Sequence, residues 1–307
     1  MDNLSEENTL PINGNFMVLI QLDIIEFLLI YRYLQNTYWF KRDNCNHAKA
    51  LLDIGDSLRD IFKTTRPGSG RGGQSEMSSA GTLWEAIILW YMNICLLGSR
   101  AVVIKKSSKL PKPIKDALTV YYDNLACSAE PDLTVMVFPK KDVFVGEPDL
   151  FLTPRARNID NQKLSNEVAK YFELFQIGVI QCKSNWNENS QIPMLWDIIY
   201  NSGGIPAQHI MVGTETFNLK DLKRFTYSFV TMPSNDLNGY SSTRVEISRV
   251  RNLSGGNYWG VPTKNGVAKS VKEIFRLFDS AFSTSIKSTL TKELPKLGTE
   301  HSYFHLV

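Results

Sequence analysis

Histidine and cysteine are scarce in this sequence of 307 residues, with four of each. The cysteines (Cys45, Cys95, Cys127 and Cys182) lie far apart and form no Cys-x-x-Cys pair, and the histidines (His47, His209, His301 and His305) are equally scattered. The usual zinc-binding spacings are therefore excluded, and free thiols in a reducing cytoplasm are expected. An excess of charge of one sign is also missing: 34 Lys and Arg against 31 Asp and Glu leave a net +3. No global basic field marks a nucleic-acid binder, so any basic surface must be local. Uninterrupted apolar runs of membrane length are absent too. "FMVLIQLDIIEFLLIYRYL" carries Asp23 and Glu26 in its middle, and "LWEAIILWYMNICLLG" carries Glu85 and Asn93. The second run has about 16 residues, short of the ~20 that a bilayer needs. Both read as core helices of a soluble protein. The opening "MDNLSEENTL" is acidic and polar, unlike the basic-then-apolar start of a secretory leader.

The size suits one large domain or two small ones, ample for a buried core. Residues 16–62 have helical periodicity. "FKTTRPGSGRGGQSEMSSAG" reads as a Gly- and Ser-rich loop carrying Arg66 and Arg71. A helix is expected from about Ser79 to just before Gly98, a natural stop. "RAVVIKK" reads as a short strand, followed by a surface patch of Lys105, Lys106, Lys109, Lys112 and Lys115. "DLTVMVFP" and "DLFLTP" read as the two strands of a hairpin, each opened by "EPD". "NQKLSNEVAKYFELF" is helical and leads to a strand, "IGVIQCKS". "QIPMLWDIIYNSGG" and "VKEIFRLFDSAF" are amphipathic helices, and "HIMVGTETF" and "RFTYSFVTM" are strands. The order implies a mixed α/β sheet with helices on its faces.

Three features carry chemistry. Glu85 lies in a helix that is apolar almost all round. A lone buried carboxylate costs several kcal/mol, of order 3–5, unless something pairs with it. Asp149 follows Pro148 at the start of an apolar strand, where proline is tolerated because it has no N–H to give. Asp132, after Pro131, is the alternative; Asp149 is preferred because its connection to Gln181 is shorter. Gln181 and Lys183 share one face of a strand, with Ile180 and Cys182 on the other. Each feature alone is ordinary: a first-turn acid, a turn, a strand tip.

In this order the three features resemble the PD-(D/E)xK nucleases, over roughly Ser79 to Gly204. "SSAGTLWEAIILWYMN" is similar to the first core helix of type II restriction endonucleases, and "VIQCKSN" to the Gln-x-Lys variant of Mrr-like nucleases. The resemblance implies a restriction-endonuclease-like core (residues 79–307) behind a helical N-terminal region (1–78), and Mg²⁺-dependent hydrolysis of double-stranded DNA, with Mn²⁺ able to substitute. It implies Asp149, Gln181, Glu85 and the backbone carbonyl of Cys182 around the metal, and Lys183 positioning the attacking water. Gln181 departs from the family's usual Asp or Glu, so metal affinity is expected to fall and a second metal is disfavoured. A nuclease reading modified or branched DNA, and a catalytically inactive DNA-binding protein, remain alternatives.

Candidate DNA contacts are Asn185, Trp186 and Asn187 after the motif, and Arg244, Arg249, Arg251 and Lys264 in "TRVEISRVRNLSGGNYWGVPTKNGVAKS". Asn suits adenine edges, and Arg suits guanine edges and phosphates alike. A symmetric target implies a homodimer, an asymmetric one a heterodimer. A restriction enzyme would work in the prokaryotic cytoplasm.

Overall fold

The structure is a computed structural model. It describes residues 47–65, 74–105, 107–123, 125–128, 131–145, 160–183, 210–232 and 239–296. The expected elements in 16–46, "DLFLTP" and "QIPMLWDIIYNSGG" lie outside them.

The mixed α/β expectation holds. Six strands form one sheet in the order β1-β4-β5-β7-β8-β9. They are β1 (Ala101–Ile104), β4 (Leu133–Val137), β5 (Gln176–Lys183), β7 (Arg224–Thr231), β8 (Gly256–Trp259) and β9 (Lys269–Ser270). The first three run antiparallel and the last four parallel. A second sheet, order β3-β2-β6, joins β2 (Thr119–Tyr122), β3 (Leu125–Ser128) and β6 (Ile210–Val212) in antiparallel register. The second sheet's β2 and β3 were not expected from the sequence. "TVYYDNLACS" turns at Asp123, whose φ of 52° is left-handed, and each strand is only four residues long.

Strands β1 and β4 are buried at every position, as is the first part of β5. Continuous rather than alternating apolar sequence follows from cover on both faces. Helix α3, Gln74–Cys95, lies against β1 and β5. From Ala86 to Leu97 every one of its side chains is buried, which explains why it has no polar stripe. It starts earlier than the sequence suggested. Its end is as expected: after Cys95 the chain turns at Gly98, with φ +72°. Trp84 donates its indole N–H to the Val230 carbonyl, 3.2 Å, tying the helix to β7.

"VKEIFRLFDSA" forms a 3₁₀ helix, Val271–Ala281, rather than the expected α-helix. Its buried residues, Val271, Ile274, Phe275, Phe278 and Ala281, mostly recur at every third position, which suits three residues per turn. Phe278 fits because Gly178 of β5 faces it. A Cβ on Gly178 would stand 2.8 Å from the Phe278 ring.

Asn93 of α3 completes the sheet edge. The edge strand β1 would leave Val103 with an unpaired N–H and C=O. Asn93 Oδ1 accepts from Val103 N–H at 2.9 Å, and its Nδ2 donates to the Val103 carbonyl at 3.0 Å. The side chain is fully buried and acts as a surrogate strand. Replacing Asn93 with leucine keeps the branched shape but strands both backbone groups. At about 1–3 kcal/mol for each, the unfolding free energy in urea is expected to fall by roughly 2–6 kcal/mol.

Candidate active site

Four elements end at the same edge of the large sheet. Strand β1 leads into Lys105. Strand β4 begins after Pro131-Asp132. Strand β5 ends in Gln181-Cys182-Lys183, and Glu85 hangs from α3 above them. The register brings them level: Ile104 faces Thr134 across β1 and β4, and Leu133 faces Ile180 across β4 and β5.

The β4–β5 ladder changes character one step beyond Leu133. The Lys183 carbonyl accepts from Met232 N–H, so Lys183 directs its backbone toward β7. Its neighbour Cys182 must direct its own N–H and C=O the other way, toward β4. There the regular ladder would offer Pro131, whose carbonyl could accept but which has no N–H to donate. Asp132 Oδ2, rather than the Pro131 carbonyl, takes the Cys182 N–H, at 2.8 Å. The Cys182 carbonyl receives no ladder donor from Pro131, which makes it a candidate hard oxygen next to the carboxylate that holds its N–H.

The side chains alternate in charge. Lys183 Nζ stands 3.7 Å from Asp132 Oδ2 and Lys105 Nζ 3.5 Å from Glu85 Oε2. All four are 20–23% exposed, which admits a ligand while removing most water. Burial pushes the Glu85 carboxyl above its usual range, and the nearby Asp132 pushes it further. Asp132 is raised as well, by burial first, against the pull of Lys183 and the Cys182 N–H. The Cys182 thiol is pushed far up by burial, with both carboxylates adding to the effect, so the thiol is inert and only the Cys182 backbone is available. The Gln181 side chain lies near the Tyr227 hydroxyl and works against the rise that burial gives it. Tyr227 is buried and packs on Phe229 with ring centroids 5.5 Å apart.

Among the described residues no three or more His, Cys, Asp and Glu side chains converge as a metal cage. Two carboxylates and a carbonyl are still a hard-oxygen set. It suits Mg²⁺, which keeps several of its waters and needs only one or two protein carboxylates.

Of the sequence-predicted residues, Glu85, Gln181, Cys182 and Lys183 come together with Asp132. Asp149, Asn185, Trp186 and Asn187 lie outside the described residues. Arg244 and Lys264 are at work within the fold. Arg244 donates to the Gly239 carbonyl at 2.9 Å and lies over the Tyr240 ring. Lys264 donates to the Tyr240 carbonyl. Arg249 and Arg251 are exposed on α7, Val245–Leu253. Arg251 and Lys269 line an open cavity of about 630 Å³ with Asn257 and Glu273.

Lys105 and Tyr227 were missed. The sequence alone places Lys105 in a row of surface lysines; the pairing of β1 with β4, the strand that Pro131-Asp132 opens, brings it to the site. No protein-family model matches the chain, and a comparison with curated proteins finds no match.

The raised carboxyls set a pH dependence. A carboxyl whose pKa is higher folded than unfolded holds more protons in the folded state through the window between the two values. Stability therefore falls as pH rises through that window. In EDTA, Glu85→Gln should unfold at a higher temperature than the wild type at pH 7.5. The advantage should vanish at about pH 4 and below, near the ordinary carboxyl range. Thermal melts across pH 3.5–8 check it, and an unchanged difference across that range would refute it.

Proposed function

We propose that the chain is a Mg²⁺-dependent endonuclease of double-stranded DNA, built like the type II restriction endonucleases. The observation that supports it best is the meeting of Asp132, Glu85, Lys183 and the Cys182 carbonyl at one end of a mixed sheet. The order along the chain supports it as well: a helix with an acid, three antiparallel strands carrying Pro-Asp and Gln-x-Lys, then a parallel strand. In this reading Asp132 takes the role for which the sequence favoured Asp149.

Asp132, Glu85 and the Cys182 carbonyl would hold the cation. Bound Mg²⁺ supplies neutralisation of the phosphate charge and acidifies water at neutral pH. Lys183 orients the attacking water and stabilises the charge that builds on the phosphate oxygens. The water oxygen bonds to phosphorus, the bond to the leaving sugar oxygen breaks, and a proton ends on that oxygen. Tyr227 lies near the Gln181 amide, whose neutrality keeps the site at two carboxylates and favours one metal over two. Arg251 and Lys269, at the cavity beside β8, supply basic surface for phosphates away from the scissile bond. A symmetric target would be matched by a homodimer.

The test is incubation of the protein with unmethylated plasmid and bacteriophage DNA in Mg²⁺. Discrete fragments are expected, lost in EDTA and restored by Mn²⁺. Asp132→Asn and Lys183→Ala should each slow cleavage by at least about a hundredfold, while Asp149→Asn should cut at close to the wild-type rate. Loss in Asp149→Asn with Asp132→Asn intact would move the ligand role to Asp149. Cleavage confined to methylated or branched DNA would replace site-specific restriction with a nuclease reading modification or junction shape. A band shift with no cut on any of these DNAs, in Mg²⁺ or Mn²⁺, would leave a binding protein.

A further inference from the structure

Resting on the metal-dependent reading above, we propose that Lys105 is a placeholder cation. Its ammonium occupies Glu85 in the metal-free protein and must release that carboxylate before a divalent cation can use it. The geometry carries this. Lys105 Nζ lies 3.5 Å from Glu85 Oε2 and 3.4 Å from the Thr82 carbonyl. An ammonium at that distance stands where a cation bound to Glu85 would have to be, and two cations so close repel. Lys105 follows Ile104, the last residue of β1, so its backbone is fixed while its flexible four-carbon stem can swing. On release it keeps one acceptor, the Thr82 carbonyl, so leaving Glu85 does not strand it.

Lys183 does not play the same part. Its partner Asp132 is already held by the Cys182 N–H, so Asp132 stays in place whether Lys183 is near or not. Glu85 has Lys105 as its close cation, and burial and Asp132 both act against its charge.

The charge count gives the consequence. Glu85, Asp132, Lys105 and Lys183 sum to zero. A divalent cation adds two positive charges in a site with little water, and a DNA phosphodiester is the ligand that offsets them. Cation and DNA therefore strengthen each other's binding, and the cation alone binds weakly. Lys105 is a positioning residue that sets this coupling.

The test uses the full chain without DNA and Ca²⁺ alone as the probe, titrated in a calorimeter. Lys105→Met keeps the length of the side chain and removes the charge. It should bind Ca²⁺ roughly twofold to fivefold tighter than the wild type, the scale of a partly exposed ion pair. Lys105→Arg should stay at or below wild-type affinity. In a Glu85→Gln background, adding Lys105→Met should change the affinity by less than about twofold, since the pair is already broken. Equal or weaker Ca²⁺ binding in Lys105→Met, with unchanged circular dichroism, overturns the role of Lys105 and leaves the nuclease reading intact. The absence of Ca²⁺ binding in every variant, Lys105→Met included, overturns the role of Lys105 as well, and the Mg²⁺ cleavage assay then decides the nuclease reading by itself.

Discussion

The hydrogen bond from Cys182 N–H to Asp132 organises the rest of the site. It forms where β4 meets the end of β5, with Pro131 opposite Cys182 in the register. The Asp132 carboxylate, rather than the Pro131 carbonyl, accepts the Cys182 N–H, at 2.8 Å. Proline has no N–H to return to the Cys182 carbonyl. A single Pro-Asp step thus fixes the orientation of a carboxylate and withholds a ladder donor from the backbone oxygen of Cys182. Because the bond is to the backbone of the residue between Gln181 and Lys183, it also sets those two side chains relative to Asp132.

Electrostatics then determine what such a site costs the fold. Both carboxylates are mostly out of water and both are raised, by burial first, and Asp132 further disfavours the charge on Glu85. Two lysines offset part of this without cancelling it, since burial is the largest cause in each case. Such an arrangement costs the fold stability, and strained clusters of shifted titratable groups are where functional sites concentrate. The buried scaffold underneath absorbs the cost. Asn93 closes the edge of β1, Gly178 admits Phe278, and Trp84 ties α3 to β7.

Much of this was legible in the sequence, and the exceptions have physical reasons. The core helix, β1, β4, β5 and β7 were readable because each is an apolar run bounded by glycine, proline or charge. Strands β2 and β3 were not, because four-residue strands around a left-handed Asp123 carry too few alternations to register. The 3₁₀ geometry of Val271–Ala281 was hidden because spacings of three and four serve both helix types. Glu85 and the face shared by Gln181 and Lys183 followed from burial and strand periodicity, which are local. The choice between the two Pro-Asp steps is not local, and Asp149 lies outside the described residues. Helix α6, Asn161–Lys170, lies between β4 and β5, so the longer connection from Asp132 is accommodated by ordinary structure. Lys105 was overlooked for the same kind of reason: only the pairing of β1 with β4 reveals that it ends beside Glu85.

The neutral Gln181 gains meaning beside Lys105. An acid at Gln181 would make three carboxylates against two lysines, a net negative site that binds a cation without help. With glutamine the four charges balance, and under the proposed reading a cation displaces an ammonium to enter. For the proposed cleavage of DNA this makes chemical sense. A site that holds its metal weakly until a phosphodiester arrives is not a standing hydrolytic centre in the free protein. The same substitution that weakens the match to an acidic motif is thus consistent with a site whose metal and substrate depend on each other. The lysine at the end of β1 is the residue on which that dependence turns.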